Sequence, residues 1–349
     1  MISPTSIRTL RIGKDLAPYE KTKNEWKKSK KDISDILSTI KLFKAHNKFN
    51  ELIDKNNSKF LKGQLSPEGK VQGARIIILP NGKKLDKAYS LFAKNLTFHD
   101  ESSHSHWDVI YQNPNGKYAY LYAQEKIKMA IKNKYKKVKS FENKYDLLSK
   151  NVLNSLINDN DDTALPMYTL LKTYMRVGNE MYYKSTGHKG LTTLTKKDIE
   201  IEKNKTTFSY IGKDGVPITI SEKFPDEYIK KLKERLAEKK PSEFVFTNSK
   251  GAPLKDTDFM SAFEKYCGEK FYPHIVRSFY ATKKARNFLS NHKTTSKEEI
   301  KELFTKIAEK LGHKRFDKKH GEWKDNYTVT IHHYIQPELV EKIETLAKN

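Results

Sequence analysis

The apolar positions of this chain change their period twice. In the Lys- and Asn-rich opening sixty or so residues, Ile33, Ile36, Leu37, Ile40 and Phe43 recur at helical spacing. One amphipathic helix is expected there, in an arm or an added helical piece. From Arg75 to about Tyr122 the apolar runs shorten and turn residues punctuate them. RIIIL runs into Pro80-Asn81-Gly82, WDVIY runs into Asn113-Pro114-Asn115-Gly116, and KYAYLYA then alternates as a half-buried strand does. A small β-rich domain is predicted.

Helical periodicity returns at Gln124, first in the Lys-rich KIKMAIKNKYKKVKSF and then in FENKYDLLSKNVLNSLI. The first reads either as a linker helix along a phosphate backbone or as a solvated face. A long helix is expected through LPMYTLLKTYMRVGNEMYY, capped by Asp162 or Thr163 with Pro166 in its first turn, which places Arg176 on that helix. Three strands follow: DIEIE, TTFSYI and VPITI. Gly212-Lys213-Asp214-Gly215 joins the last two, and Asp-Gly is a hairpin signal, so Lys213 sits on the loop tip. The remainder reads as helices at 225–238, 257–268, 274–291, 297–312 and 334–347, with the short apolar run EFVFT between the first two. The predicted fold class is α+β. A Lys-rich segment and β-rich domain (1–137) precede a mainly α-helical domain with a three-stranded antiparallel sheet (138–349).

Length and charge narrow the partner. A chain of 349 residues accommodates two domains, each with its own core. A formal net charge of +24, from 67 Lys and Arg against 43 Asp and Glu, favours a polyanion, and duplex DNA is the expected partner. The lone Cys267 allows no intrachain disulfide and no cysteine-based zinc site, which points to an intracellular, reducing compartment. No run reaches the roughly 18 apolar residues of a membrane span, and MISPTSIRTL lacks the apolar core of a secretory signal. A phosphate-binding G-x-x-x-x-G-K-[ST] loop is also missing, so phosphate chemistry is expected to proceed without a bound nucleotide. In FHDESSHSHWD, His99, His104 and His106 crowd near Asp100 and Asp108; their spacing matches no metal-ligand pattern and a polar loop is expected.

Four dispersed segments supply what transfer of a phosphodiester needs. Attack on phosphorus builds negative charge on the non-bridging oxygens, which the planar guanidinium groups of Arg176 and Arg277 can hold. The departing 5′ oxygen needs a proton, and Lys213 on its hairpin is placed to give one. A tyrosine nucleophile, Tyr334, leaves a phosphodiester behind and conserves the bond energy, so resealing needs neither ATP nor metal. No cofactor is expected.

These residues also carry a family resemblance. RVGNEMYYKSTGHKGLTTL resembles the first arginine motif of type IB DNA topoisomerases, FSYIGKDGV their lysine hairpin, VRSFYAT their second arginine motif, and YIQPELV their nucleophile segment. Upstream, HWDVIYQNPNGKYAYLYAQEKIKMAIKNKYKKVKSFE is similar to their β domain and the link out of it, so the resemblance covers about residues 85–349. It implies a clamp around duplex DNA, a 3′-phosphotyrosyl intermediate, and relaxation of supercoils; a monomer is the simplest expectation. Its catalytic set would be Arg176, Lys213, Arg277, His313 and Tyr334, with His313 on a non-bridging oxygen. Two departures leave alternatives open. The family usually has lysine three positions before the second arginine, whereas His274 stands here, giving the His-x-x-Arg of tyrosine recombinases; site-specific strand exchange is the competing activity. His313 and Tyr334 lie 21 positions apart, longer than the family's usual spacing, as an insertion around FDKKHGEWKDNY would explain. Tyr327 therefore competes with Tyr334, and His332 or His333 with His313.

Overall fold

The computed structural model describes residues 5–73, 75–99, 107–158 and 161–347. Asp100, His104 and His106 of the histidine-rich segment lie outside them. Its backbone divides into two units, Met1–Asn133 and Lys134–Asn349.

The first unit is built of short antiparallel strands. β1 (Leu10–Ile12), β2 (Pro18–Lys21) and β3 (Trp26–Lys28) precede helix α1 (Ser34–Ala45); β4 (Gln64–Leu65) and β5 (Val71–Gln72) then complete a sheet of order β3-β2-β1-β4-β5. A hairpin of β6 (Ile76–Ile78) and β7 (Lys84–Tyr89) follows, then a meander of β8 (Lys94–Phe98), β9 (Val109–Gln112) and β10 (Tyr118–Leu121). Ile36, Ile40 and Phe43 of α1, with Ile33 just before it, are buried against Ile12, Leu52, Leu61 and Leu85, as their spacing requires. The opening residues are not an arm or a helical piece alone, however, because they also carry β1–β3. Strands of three or four residues are too short to display a period of two. The middle residue of β1, Arg11, is moreover a buried cation neutralised by Asp54 at 2.5 Å, so its polarity hides the strand.

Helix α2 (Gln124–Asn158) is continuous over 35 residues. Val138, Phe141, Leu148, Val152 and Leu156 form its buried stripe, and Phe141 meets Phe263, Phe271 and Phe279 edge-on. Around this stripe the second unit packs α3 (Ala164–Thr173), α4 (Glu180–Thr186), the sheet β11 (Ile199–Glu202), β12 (Lys205–Ile211) and β13 (Pro217–Lys223), then α5 (Asp226–Ala237), α6 (Asp256–Cys267) and α7 (Ile275–Asn291). α8 (Lys297–Lys310), the hairpin β14 (Lys314–Asp317) and β15 (Glu322–Asp325), α9 (Thr328–His333) and α10 (Pro337–Leu346) complete it. A second apolar cluster, including Ala281, Phe304, Leu311, Tyr334 and Ile343, fixes α8–α10 on α7.

One helix expectation changes and one helix is added. The helix expected over 165–183 stops at Thr173: Tyr174 takes a left-handed φ of 57° and the chain runs without regular structure to Asn179, whose side chain caps α4 by accepting from the Tyr182 amide. The last helix, expected over 334–347, is α10 with Tyr334 just ahead of it, and α9, which ends directly before the tyrosine, is additional to those expected. No helix among the described residues is long and apolar enough to cross a membrane.

Candidate active site

Arg176 lies in the irregular segment between α3 and α4, a correction to its expected place on a helix, and the GLTTL element explains why. The Leu191 amide donates to the Arg176 carbonyl at 2.8 Å and the Thr192 hydroxyl to that of Val177 at 3.4 Å, so the turn at 190–194 grips the arginine segment. A Cβ at Gly190 would lie 2.7 Å from the Arg176 oxygen and from the Gly178 backbone, and Gly178 itself has a φ of +108°. Only glycine admits that approach at the first position and that conformation at the second. The half-buried Arg176 is thereby held in place.

Lys213 is on the β12–β13 hairpin, as expected. Gly212 N–H donates to the Val216 carbonyl at 2.7 Å, closing the turn, and the lysine side chain is exposed. It lines one cleft with Arg176, Arg277 and His313.

Arg277 projects from the first turn of α7 into the protein and is 2% exposed. It donates to the carbonyls of Tyr174 (2.5 Å) and Leu311 (2.7 Å) and to His313 Nε2 (3.0 Å). Because a guanidinium only donates, Nε2 of His313 is the acceptor. Its Nδ1 then carries the proton toward the Thr330 hydroxyl, 2.8 Å away. Burial, and then the charges of Arg277 and Arg176, depress the His313 pKa to about 2; the imidazole is neutral. His274 is depressed to about 3 by burial, then by Arg277, Arg176, Lys134 and Lys213. Burial also lowers Arg277 to about 10, which leaves it charged at neutral pH.

These groups converge on Tyr334, which is 3% exposed. Its hydroxyl accepts from Arg176 Nη2 at 3.1 Å and lies 2.7 Å from His274 Nε2. The Arg277 guanidinium sits 5.2 Å from the ring centroid and the His313 ring 4.7 Å from it. Tyr327 instead packs beside Phe304 at the start of α9, and His332 and His333 are exposed at its end. Among the described residues no carboxylate is within ion-pair reach of Arg176, Arg277 or Lys213, whereas the nearby Lys189 is matched by Asp198 at 2.5 Å. Charges converging without counter-charge make an anion site, and the planar groups suit a phosphodiester.

Sequence reasoning missed Lys134, Thr282 and Thr330 in this neighbourhood. Thr330, fully buried and hydrogen-bonded to His313, stands in the unremarkable TVTIHH and carries no local signal.

Residues 124–342 match the model of the family described as eukaryotic DNA topoisomerase I, catalytic core. The chain belongs to that family. Consistent with this membership, it is 25% identical over 223 residues to the DNA topoisomerase 1B of Acanthamoeba polyphaga mimivirus; the match takes in 59% of this chain and 66% of that protein, a little under two thirds of its length. Solved structures include the XerH site-specific recombinase bound to its difH substrate in a pre-cleavage complex, at 19% identity and a TM-score of 0.33 over 48% of this chain and 44% of that one. The post-cleavage complex on palindromic difH matches at 19% identity and 0.34 over 58% and 52%. Superpositions this loose carry no argument.

Proposed function

We propose that this chain is a type IB DNA topoisomerase, which relaxes supercoiled duplex DNA by cutting and resealing one strand through a 3′-phosphotyrosyl bond at Tyr334. The observation that carries the reading is the buried tyrosine whose hydroxyl is bonded by Arg176 and flanked by Arg277, neither guanidinium having a carboxylate partner among the described residues.

On this reading each group has a part. A phosphodiester beside Tyr334 Oη would receive N–H groups from Arg176 and Arg277 on its non-bridging oxygens. His274, uncharged and 2.7 Å from the phenol, is the group placed to take its proton. Burial first, and then the neighbouring cations, make this imidazole a weak base; an arriving phosphate offsets the part due to the cations. Attack by Oη on phosphorus expels the 5′ oxygen, which takes a proton from Lys213. Religation runs the same steps backwards, with the 5′ hydroxyl as nucleophile and tyrosine as leaving group. His313, in the free protein, turns Nε2 to Arg277 and so aligns that guanidinium; to hold a non-bridging oxygen in the DNA-bound state it must release Arg277 and carry its proton on Nε2, with the Thr330 hydroxyl then donating to Nδ1. The protein acts as a monomer clamped on duplex DNA, wherever in the cell that DNA resides.

The test is relaxation of a supercoiled plasmid in EDTA without ATP, with wild type and Tyr334→Phe side by side. Relaxation and a denaturant-resistant protein–DNA adduct are expected from the first and neither from the second; no relaxation by wild type, or relaxation surviving Tyr334→Phe, refutes the reading. The His274-x-x-Arg277 pair, with its imidazole on the tyrosine, supports a second reading, site-specific strand exchange. That reading requires recombinant products from two-site DNA and poor relaxation of arbitrary plasmids.

A further inference from the structure

The peptide that bears Tyr334 has an unusual hydrogen-bonding problem. In a continuous helix the carbonyl of His333 would accept from the amide four residues on, but that residue is Pro337, which has none. Tyr334 and Gln336 also leave helical geometry between α9 and α10, so the neighbouring carbonyls lose regular partners as well. Side chains from two other helices fill these vacancies on three consecutive residues. Lys134 Nζ donates to the His333 carbonyl, the Thr282 hydroxyl to that of Tyr334 at 3.3 Å, and the Tyr135 hydroxyl to that of Ile335 at 2.6 Å. On the amide side, the N–H groups of Tyr334 and Ile335 both reach the Thr330 carbonyl, at 2.9 and 3.2 Å. Lys134 Nζ is also 5.5 Å from the Tyr334 ring centroid, across from no acidic partner among the described residues.

We infer that Lys134 and Tyr135 of α2, with Thr282 of α7, form a clasp that positions the nucleophile, Lys134 adding a cation beside the ring where negative charge passes during the reaction. The inference rests on the proposed tyrosine chemistry and goes beyond it, because all three act on the backbone that carries the tyrosine rather than on the groups assigned to the phosphate. The alternative role of a lysine on a basic helix is a phosphate contact, and the two roles separate kinetically. Positioning acts on the rate at saturating DNA; a phosphate contact acts on affinity and its salt dependence.

The experiment is single-turnover adduct formation on a duplex substrate, with binding measured separately on the same chains. At saturating DNA, Lys134→Met and Tyr135→Phe are expected to slow cleavage by about ten- to a hundredfold, the scale of a misplaced reacting group. Religation should slow with them, while Kd stays within about twofold and thermal unfolding of the free protein is little changed. Lys134→Arg, which restores both donor and charge, should recover most of the rate. A wild-type rate in Lys134→Met, or a loss confined to Kd, overturns the clasp, as does a loss that Lys134→Arg fails to recover. Failure of wild type to form any adduct overturns the underlying chemistry too, which distinguishes the two failures.

Discussion

Protonation of a buried histidine is the perturbation whose size follows most directly from this site. His313 is held neutral by burial and by Arg277 and Arg176, with its pKa pushed to about 2, whereas in the unfolded chain a histidine titrates near 6.5. Below 6.5 the unfolded state takes up a proton that the folded state refuses. Stability therefore rises with pH across this window and is lost as pH falls from 7 toward the folded pKa. Between pH 7 and pH 5 the cost is about 2 kcal/mol for one such histidine, and it is insensitive to the folded value so long as that value stays below about 4. Urea unfolding of wild type and His313→Asn at the two pH values measures it. Wild type should lose about 2 kcal/mol more than the variant, since every other titrating group contributes to both chains and cancels. Equal losses would show that His313 takes up a proton in the folded protein as readily as in the unfolded chain, and would refute its being held neutral by burial and Arg277.

Three further outcomes are expected. Gly190→Ala places a methyl 2.7 Å from the Arg176 carbonyl; it should destabilise the second unit by about 1–3 kcal/mol and depress cleavage as Arg176 shifts, measured by unfolding and by adduct formation. Arg277→Lys replaces donors to three acceptors with a single ammonium, and at saturating DNA the cleavage rate should fall by at least about a hundredfold. Lys213→Ala should slow cleavage of ordinary DNA but act far less on a substrate whose 5′ bridging oxygen is sulfur, because a thiolate departs without a proton; equal slowing of both would remove the lysine from the general-acid role.

How far the sequence revealed this molecule depended on how local each signal was. The Asp-Gly turn exposed Lys213, and the buried stripe of α2 follows a plain helical period through Val138, Phe141, Leu148, Val152 and Leu156. The break after Thr173 was obscured because Tyr174 through Glu180 read as helix-compatible, although Gly178 and the capping Asn179 were signals for the end of one helix and the start of another. Strand β1 escaped because its central Arg11 is buried only through Asp54, remote in the chain, and β2 and β3 because they are short and half-buried or exposed. Arg176, Arg277, His274, His313 and Tyr334 could be named from motifs, yet only folding shows that they meet at one phenol. The clasp was invisible, because Lys134 is one lysine in a lysine-rich helix until Pro337 removes the amide its target carbonyl would have used.

The hairpin β14–β15 begins directly after His313 and returns to it, the Asn326 amide donating to the His313 carbonyl at 2.9 Å. The chain thus leaves the cleft and re-enters it at nearly the same point, and whatever lies between is a cul-de-sac. Its length is decoupled from the distance between histidine and tyrosine, so searches that demand a fixed interval between those two residues will pass over chains like this one. For the same reason the exposed tip at Lys318–Gly321 is a natural port for a fluorophore or an affinity peptide, reporting from beside the cleft while leaving Tyr334 and its neighbours in register.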